Sequence, residues 1–257
     1  QISKINLGKI GKYVIAVILI VLTFFTSIFP IMSFAFETFL PNPGDYSFLY
    51  TGNPDNLTTK WWITSENFTE NGMYGQQGIL YNKTIWKAFM GTIWVSVCCS
   101  LLAGTIGTMV GYAVSKNRRS KWANYVNSMA FLPYLMPSLA VGAAFFVLFS
   151  TEKINLFNTY SLLIIVGTIK YIPFASRSSL NSMLQLSGEI EESALIQNVP
   201  WIKRMTHIII PIQKSSIISG YLLPFMTCLI ELSFFMLLCV QGFVLSTTLD
   251  YFVEMGL

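Results

Sequence analysis

Residues 88–114 read AFMGTIWVSVCCSLLAGTIGTMVGYAV, a run of 27 residues without a charged side chain. A helix crosses the hydrocarbon core of a bilayer with about 20 mostly apolar residues, so this run is long enough to span a membrane. The whole chain of 257 residues is 53% hydrophobic and 11% charged, whereas an ordinary soluble domain is about 25% charged. The sequence therefore predicts an all-α membrane protein.

Four further apolar runs have their charges at or near their ends. They cover residues 13–36, 125–149, 160–172 with an extension to about 176, and 216–240. With residues 88–114 they predict a polytopic membrane helix bundle with five spans. The run that starts at residue 160 is the least apolar, because Lys170 falls inside it.

The basic residues predict the orientation, because short cytoplasmic loops are enriched in Lys and Arg. Eleven of them precede the first span or lie in the second and fourth connections, and four lie in the alternate connections. This bias places the N-terminus in the cytoplasm and residues 37–87 outside. Residues 1–36 could instead be a secretory signal, since Ser33-Phe34-Ala35 resembles a cleavage site after a basic start.

Several classes of chemistry have no support in the sequence. The single histidine, His207, and four cysteines within apolar runs give no paired metal-site spacing, and no phosphate-binding GxxxxGK[ST] loop occurs. A net charge of +4 is too small and dispersed for a nucleic-acid partner. We therefore expect no catalytic residue, metal site or cofactor in this chain; if it drives ATP-dependent transport, ATP hydrolysis must occur on another subunit.

The cytoplasmic stretch between the fourth and fifth spans contains two short helical patterns. Residues 189–198 (EIEESALIQN) predict a helix closed by Asn198, because asparagine tolerates the left-handed conformation that ends helices. Pro200 then begins a second helix over residues 201–210, and Pro211 turns the chain towards the membrane. We predict two short helices that meet at a sharp angle at the membrane surface.

This stretch resembles the EAA loop of permease subunits in binding-protein-dependent ABC importers, whose pattern is E-A-A, three residues, G, nine residues, I-x-L-P. Here Glu192-Ser193-Ala194, Asn198 and the run 208–211 (IIIP) have the same spacing. Ser193, Asn198 and Ile210 replace Ala, Gly and Leu of the pattern. Each replacement keeps the physical property: small, able to adopt positive φ, or branched and apolar.

The resemblance extends along most of the chain. Residues 62–68 (WITSENF) are similar to an amphipathic segment before the second span, 132–137 (LPYLMP) to a proline pair in the third, and 171–173 (YIP) with Arg177 to the end of the fourth. Residues 231–233 (ELS) are similar to a motif of the subgroup that imports ferric iron.

The resemblance implies the type I ABC importer permease fold in a bacterial inner membrane. It implies residues 1–36 as the cytoplasmic N-terminus and first span, 37–87 as an extracytoplasmic loop, and 88–257 as the permease core, with the EAA loop at about 178–212 and a sixth span beyond Leu257. Implied partners are ATPase subunits that hold ATP and Mg, a second permease subunit, an extracytoplasmic solute-binding protein and membrane lipid.

The loop would couple the bundle to the ATPase. Glu191 and Glu192 would pair with basic groups of the ATPase, and Ala194 with Leu195 would form an apolar knob. The predicted coupling residues are Glu191, Glu192, Ser193, Ala194, Leu195, Asn198, Ile208, Ile210 and Pro211.

Polar and helix-breaking residues inside the spans predict the solute pathway: Glu231, Ser233, Pro133 and Pro137. For Glu231 a structural hydrogen bond between helices is the other interpretation. Pro133 and Pro137 should bend or unwind the third span, and for them a plain structural kink is the other interpretation. A stripe of Gly104, Gly107 and Gly111 predicts close helix packing, and Lys170 is expected to reach the headgroups.

Two other functions stay open at this stage. A secondary transporter would use Glu231 as a proton or cation site, and a structural or receptor-like membrane protein would carry no solute. The favoured prediction is the permease subunit of an ATP-driven importer, with ferric iron as solute and polyamines, thiamine, phosphonates and other oxyanions as the alternatives.

Overall fold

The computed structural model describes residues 8–41, 44, 46, 57–65, 76–151, 156–186 and 188–255. Within these ranges every regular element is helical, as predicted for an all-α membrane protein. The chain divides into two compact units, Gln1–Asn82 and Lys83–Leu257.

The first unit contains α1 (Gly8–Thr23), a π-helical turn (Phe24–Ile28), α2 (Phe29–Glu37) and α3 (Lys60–Ile63). The second contains α4 (Lys83–Lys116), α5 (Lys121–Leu135), α6 (Ser138–Phe149), α7 (Tyr160–Gln185), α8 (Gly188–Ile196), α9 (Trp201–Arg204), a π-helical turn (Met205–Ile209), α10 (Ile210–Ile212), α11 (Lys214–Leu229), α12 (Phe235–Leu238) and α13 (Leu245–Met255).

In the first unit, residues Ile10–Glu37 form a helical run of 28 residues that is long and apolar enough to cross a membrane. The hydroxyl groups of Thr23 and Thr26 donate to backbone carbonyls one turn earlier, so neither is left unbonded in an apolar helix. The indole of Trp61 donates to the Leu40 carbonyl at 2.8 Å and ties α3 to the end of α2. Of the predicted segment 62–68, residues 66–68 lie outside the described residues.

The core of the second unit lies where α4, α7 and α11 meet. Val95 and Cys99 of α4, Leu163 and Val166 of α7, and Cys228 of α11 are fully buried in one cluster. All four cysteines are free thiols, and three of them are buried.

The glycine stripe of α4 permits a close approach of α4 to α7 and α11. A Cβ atom on Gly107 would lie 2.8 Å from the backbone nitrogen of Ser176, and one on Gly111 would lie 2.7 Å from that of Leu180. Gly104 faces the ring of Tyr221 on α11. The predicted packing role of these glycines is confirmed, since only a residue without Cβ lets the α4 and α7 backbones come this close.

The predicted third span is broken at its proline pair. α5 and α6 meet at an angle of 100°, and Met136 and Pro137 between them have extended ψ values of 134° and 138°. Proline supplies no N–H and disfavours helical backbone in the residue before it, so the helix ends before Pro137. The predicted bend is confirmed.

The last predicted span is corrected. An unbroken helix over residues 216–240 is wrong, because α11 ends at Leu229 and the chain turns through residues 230–234 before α12. The Glu231 carbonyl, which a continued helix would bond internally, accepts from Ser246 at 2.6 Å. A hydropathy pattern gives no sign of a helix end when the polar groups at that end form hydrogen bonds with residues farther along the chain.

The fourth predicted span is longer than expected, since α7 runs on to Gln185. By length and composition, two described helices could cross a membrane, or up to four if each of two bent pairs is one span. The second bent pair joins Trp201–Ile212 to Lys214–Leu229 at 85°. α7 is not among these four, because it carries Lys170, Arg177 and a serine-rich C-terminal half.

Two contacts show which connections share an end of the second unit. An ion pair between Lys116 and Glu191 puts the α4–α5 connection beside α8. At the other end, the side-chain oxygen of Asn158 accepts from the Val240 amide at 3.0 Å. The two basic connections therefore lie together, as the charge count requires; which end is cytoplasmic stays a prediction.

Candidate functional site

α8 is closed by the left-handed residue that the sequence predicted. Asn198 has φ +55°, the Val199 amide donates to the Ala194 carbonyl at 3.1 Å, and the Asn198 amide donates to the Leu195 carbonyl at 3.0 Å. These two bonds form a Schellman motif, which satisfies carbonyls left free at a helix end. The short helix therefore ends in a defined bend instead of fraying.

Changing Asn198 tests this closure. Replacement by valine should destabilise the loop by about 1–2 kcal/mol, since a β-branched residue resists the left-handed conformation, whereas glycine should be neutral or stabilising. Amide hydrogen exchange across residues 188–199 of the purified protein measures the difference. Equal protection in the valine and glycine variants would show that the turn is not a constraint.

After Pro200 the chain forms one helical run, Trp201–Ile212, which includes the π-helical turn Met205–Ile209. The change of direction by 85° falls at Gln213, two residues beyond the predicted turn at Pro211. Pro211 lies within the first turn of α10, where its missing N–H costs little.

Glu191 anchors α8 to α4 within the chain. Its carboxylate accepts from the Tyr112 hydroxyl at 2.6 Å and forms an ion pair with Lys116, and the residue is 7% exposed. Burial opposes ionisation, but the bonds from Lys116 and Tyr112 and the charges of Lys116 and Arg204 outweigh it and lower the pKa of Glu191 below its usual value. Glu191 is therefore held by Tyr112 and Lys116 of its own chain, and its pairing with another subunit stays a prediction.

An apolar cluster also holds the loop in place. This cluster and the contacts of Glu191 with Tyr112 and Lys116 together form the seat of the loop. Met183, Met205 and Ile209 form a buried cluster, against which Tyr112 and Leu186 pack. The rings of Tyr112 and Trp201 lie 6.3 Å apart. The loop therefore rests on the ends of α4 and α7 through both a charged and an apolar contact.

Replacement of Glu191 by glutamine should weaken this seat by about 1–2 kcal/mol at neutral pH, since Lys116 is 39% exposed and water already screens it. Because folding lowers the pKa of Glu191, its contribution is fully present above the unfolded value of about 4.3 and is lost as the pH falls through the folded value. Unfolding midpoints of both proteins at neutral pH and near pH 3 test this. An advantage of the wild type that persists undiminished near pH 3 would contradict it.

The opposite face of α8 is exposed. Glu192 and Ser193 face outward, Leu195 is 57% exposed and Ile196 is 81% exposed. Ala194 is only 6% exposed and lies on the side of α8 that faces its own bundle, so Leu195 is the exposed member of the predicted knob, and a coupling role of Ala194 stays a prediction. Ile196 was missed, although its position next to Leu195 could have suggested it.

Residues 208–211 (IIIP) also include both buried and exposed side chains. Ile208 is half-buried, Ile210 and Pro211 are exposed, and Ile209 between them is buried in the seat at 1% exposure. The residue that fastens this segment is thus the one that the pattern leaves unspecified.

Glu231 lies in the turn after α11 and not inside a helix. Its carboxylate accepts from the Tyr171 hydroxyl at 2.7 Å, across to α7. Tyr171 is buried and Glu231 is half-buried. The bond with Tyr171 supports the interpretation that Glu231 forms a structural hydrogen bond between elements. A role for Glu231 in the pathway stays a prediction.

Ser233 is half-buried in the same turn, and Pro133 and Pro137 flank the break between α5 and α6. α7 connects the two breaks: Tyr171 contacts Glu231, and the ring of Phe174, three residues on, lies 5.5 Å from that of Tyr134. The predicted pathway residues therefore lie at two helix breaks on either side of α7.

Lys170 does not reach the headgroups as expected. It is 9% exposed and donates from Nζ to the Met136 carbonyl at 3.3 Å. Because α7 continues to Gln185, Lys170 lies near its middle and not near its end. The expectation for Lys170 was wrong because the apolar run placed the end of this helix too early in the chain.

A polar cavity of about 390 Å³ lies between the C-terminal half of α7 and the start of α11. It is lined by uncharged hydroxyl and amide side chains and one isoleucine: Ser178, Asn181, Ser182, Gln185, Ile212, Gln213, Ser215 and Ser216. Among the described residues, no group of three or more His, Cys, Asp or Glu side chains could hold a metal ion.

The helices and their breaks define an all-helical polytopic membrane protein. Residues 103–257 match the profile of the binding-protein-dependent transport system inner membrane component. The chain belongs to this family of permeases, since the match covers more than half of its length.

Curated relatives include putative 2-aminoethylphosphonate transport system permease proteins. Those of Salmonella typhimurium strain LT2 and Salmonella choleraesuis strain SC-B67 are each 23% identical over 160 residues, which is 61% of this chain and 59% of the relative. That of Salmonella paratyphi A strain ATCC 9150 is 23% identical over 138 residues, 52% of this chain and 51% of the relative. The chain thus spans about 59% of the length of the first two.

Proposed function

We propose that this chain is the membrane-spanning permease subunit of an ATP-driven importer of a small phosphonate or related oxyanion. The observation that carries the proposal is the seated α8, which turns its charged and apolar outer face away from its own bundle. A rigid element fastened at one face and free at the other is suited to transmit force from another subunit.

The free face has the composition of a docking surface. Leu195, Ile196 and Ile202 are 57%, 81% and 68% exposed, beyond the ends of α4 and α7. Apolar side chains of this size are unfavourable in water and are covered in stable complexes. Glu192 beside them supplies a charge that fixes the register of a basic partner.

The partners follow from the family. Two ATPase subunits would bind at α8 and would hold the ATP and Mg. A second permease subunit would complete the pathway, and an extracytoplasmic solute-binding protein would deliver the solute. The location would be the inner membrane of a bacterium, with the N-terminus in the cytoplasm.

The solute class is supported by the relatives, which are named for 2-aminoethylphosphonate transport. The hydroxyl- and amide-lined cavity between α7 and α11 suits a hydrophilic solute. Ferric iron is the second candidate, favoured by the Glu231-Leu232-Ser233 motif. The Glu231 carboxylate already accepts a hydrogen bond from Tyr171, which lowers its capacity to bind a cation.

In the mechanism we propose, ATP closes the ATPase pair and draws the two α8 helices together. Because α8 is fixed to α4 by Glu191, and the following run Trp201–Ile212 is fixed to α7 by the cluster of Met183, Met205 and Ile209, the movement reaches both helices. The breaks at Pro137 and Glu231 are the points where the bundle can change its access, since neither carries a continuous helical hydrogen-bond ladder.

The experiment is purification of the permease from its native membrane, followed by reconstitution with its recovered partners. We expect an ATP-binding subunit to co-purify, and ATP-dependent accumulation of radiolabelled 2-aminoethylphosphonate when binding protein is present. Uptake driven by a proton gradient without an ATP-binding subunit would instead favour the secondary transporter that uses Glu231. Absence of any solute flux would favour a structural role.

A further inference from the structure

Lys170 is a buried cation in α7, the helix that corresponds to the predicted fourth span. It lies ten residues after the start of α7 and is 9% exposed. A helix rises 1.5 Å per residue, so Lys170 lies about 15 Å along α7; in the predicted fourth span, which begins at residue 160, this is roughly half the thickness of a hydrocarbon core of about 30 Å. At this depth the headgroup phosphates are out of reach of its side chain.

The ammonium group is only partly satisfied. An ammonium carries three N–H donors, and one hydrogen bond to a described residue is present, to the Met136 carbonyl at 3.3 Å. Among the described residues, the one ion pair is between Lys116 and Glu191, so no described carboxylate lies within 4.0 Å of Lys170. Glu231 is bonded to the neighbouring Tyr171 instead.

The break between α5 and α6 explains why a side chain of α7 donates to the Met136 carbonyl. It does not explain why that side chain, Lys170, is charged. Met136 precedes Pro137, and its carbonyl lies where the helical ladder is interrupted, so a donor from α7 satisfies it. A neutral donor would do this without the cost of a buried cation, which is at least about 2.5 kcal/mol at the centre of a membrane helix. The positive charge therefore requires another reason.

A second cation lies on the same face of α7. Lys170, Phe174 and Arg177 follow the spacing i, i+4, i+7, which places them in one stripe. The Arg177 guanidinium lies 4.5 Å from the centre of the Phe131 ring on α5, where it makes a cation–π contact and no described ion pair. Positive charge thus follows the α5 side of α7 from the middle of the helix towards the α8 end.

We propose that the Lys170 ammonium binds the anionic oxygens of the solute as it passes the break between α5 and α6. The inference rests on the proposed function and specifies it: the group recognised is an oxyanion, and Arg177 is the next positive charge on the way out. The N–H donors of Lys170 that bond no described residue, together with its burial, favour a charge-assisted hydrogen bond to a phosphonate oxygen.

The test compares three variants of the reconstituted importer with its ATPase subunits and binding protein. Lys170→Arg keeps the charge, Lys170→Gln keeps an N–H donor for Met136 without the charge, and Lys121→Gln is an exposed control at the start of α5. The measured quantity is radiolabelled 2-aminoethylphosphonate accumulated per ATP hydrolysed.

We expect Lys170→Gln to accumulate at least about tenfold less solute per ATP, as the loss of a charge-assisted bond implies. Lys170→Arg and the control should stay within about threefold of the wild type, and binding-protein-stimulated ATP hydrolysis should persist in all three. Normal accumulation per ATP by Lys170→Gln would overturn the inference. A parallel loss of uptake and stimulated hydrolysis in that variant would overturn it as well, because Lys170 would then only hold the helix break.

The two proposals fail in different ways. If the wild-type importer does not accumulate 2-aminoethylphosphonate, the proposed solute class and this inference are both overturned. If the wild type accumulates it and Lys170→Gln does so equally, only the role of Lys170 is overturned.

Discussion

Replacement of Gly107 by valine is expected to prevent the second unit from folding. A Cβ atom at this position would lie 2.5 Å from the Ala175 Cβ and 2.8 Å from the Ser176 backbone nitrogen, and backbone cannot rotate away as a side chain can. Forcing α4 and α7 apart would also open the cluster around Cys99 and Val166. Overpacking of this kind costs about 3 kcal/mol or more, a large part of the stability of a domain.

Gly220 provides the matched control, because it also faces Ala175. A Cβ atom on Gly220 would lie 3.5 Å from the Ala175 Cα, an ordinary contact, and alanine in a helix is roughly 1 kcal/mol more favourable than glycine. Gly220→Ala should therefore be recovered from membranes at wild-type yield, while Gly107→Val should aggregate on size-exclusion chromatography in mild detergent. Recovery of folded Gly107→Val would show that the helices do not need their close approach.

Reversal of the charge at Glu192 is expected to abolish recovery of the ATPase subunit. Glu192 lies on the exposed face of α8 beside Leu195, so a change there leaves the seat of the helix intact. Like charges brought together in a partly desolvated interface cost several kcal/mol, which corresponds to a loss of affinity of about a hundredfold or more. Co-purification of the ATP-binding subunit with Glu192→Arg, compared with wild type, measures the effect.

Glu189→Arg is the control for this experiment. It makes the same change of charge on the same helix, one turn earlier, where Glu189 is also exposed. Its expected cost is the lost interaction of an acidic group with the helix N-terminus, about 0.3–1 kcal/mol. Equal loss of the ATPase in both variants would mean that general charge, and not the position of Glu192, controls docking.

The pattern of apolar runs was sufficient to predict the helical class, the long second span and the bend at the proline pair. Each of these depends on local properties: the length of a run, the absence of charge, and the missing N–H of proline. The closure of α8 at Asn198 was predictable for the same reason, because the tolerance of asparagine for positive φ belongs to the residue itself.

The sidedness of the coupling segment was not predictable from its pattern. Glu191 and Glu192 are adjacent and chemically identical, yet one is buried against Tyr112 and Lys116 and the other is exposed. Ala194 and Leu195 divide in the same manner. The motif specifies which residue types occur, and the rotation of α8 on its seat decides which of them face a partner.

The sequence by itself determined that the chain is a bundle of membrane helices with a short, rigid loop between its last two long elements. Only the tertiary structure decided that Lys170 is buried opposite the third-span break and that Glu231 ends a helix instead of lying within one. The physical reason is that composition sets the cost of placing a charge in an apolar environment. The partners that offset this cost, Met136 for Lys170 and Tyr171 for Glu231, are 34 and 60 residues away along the chain.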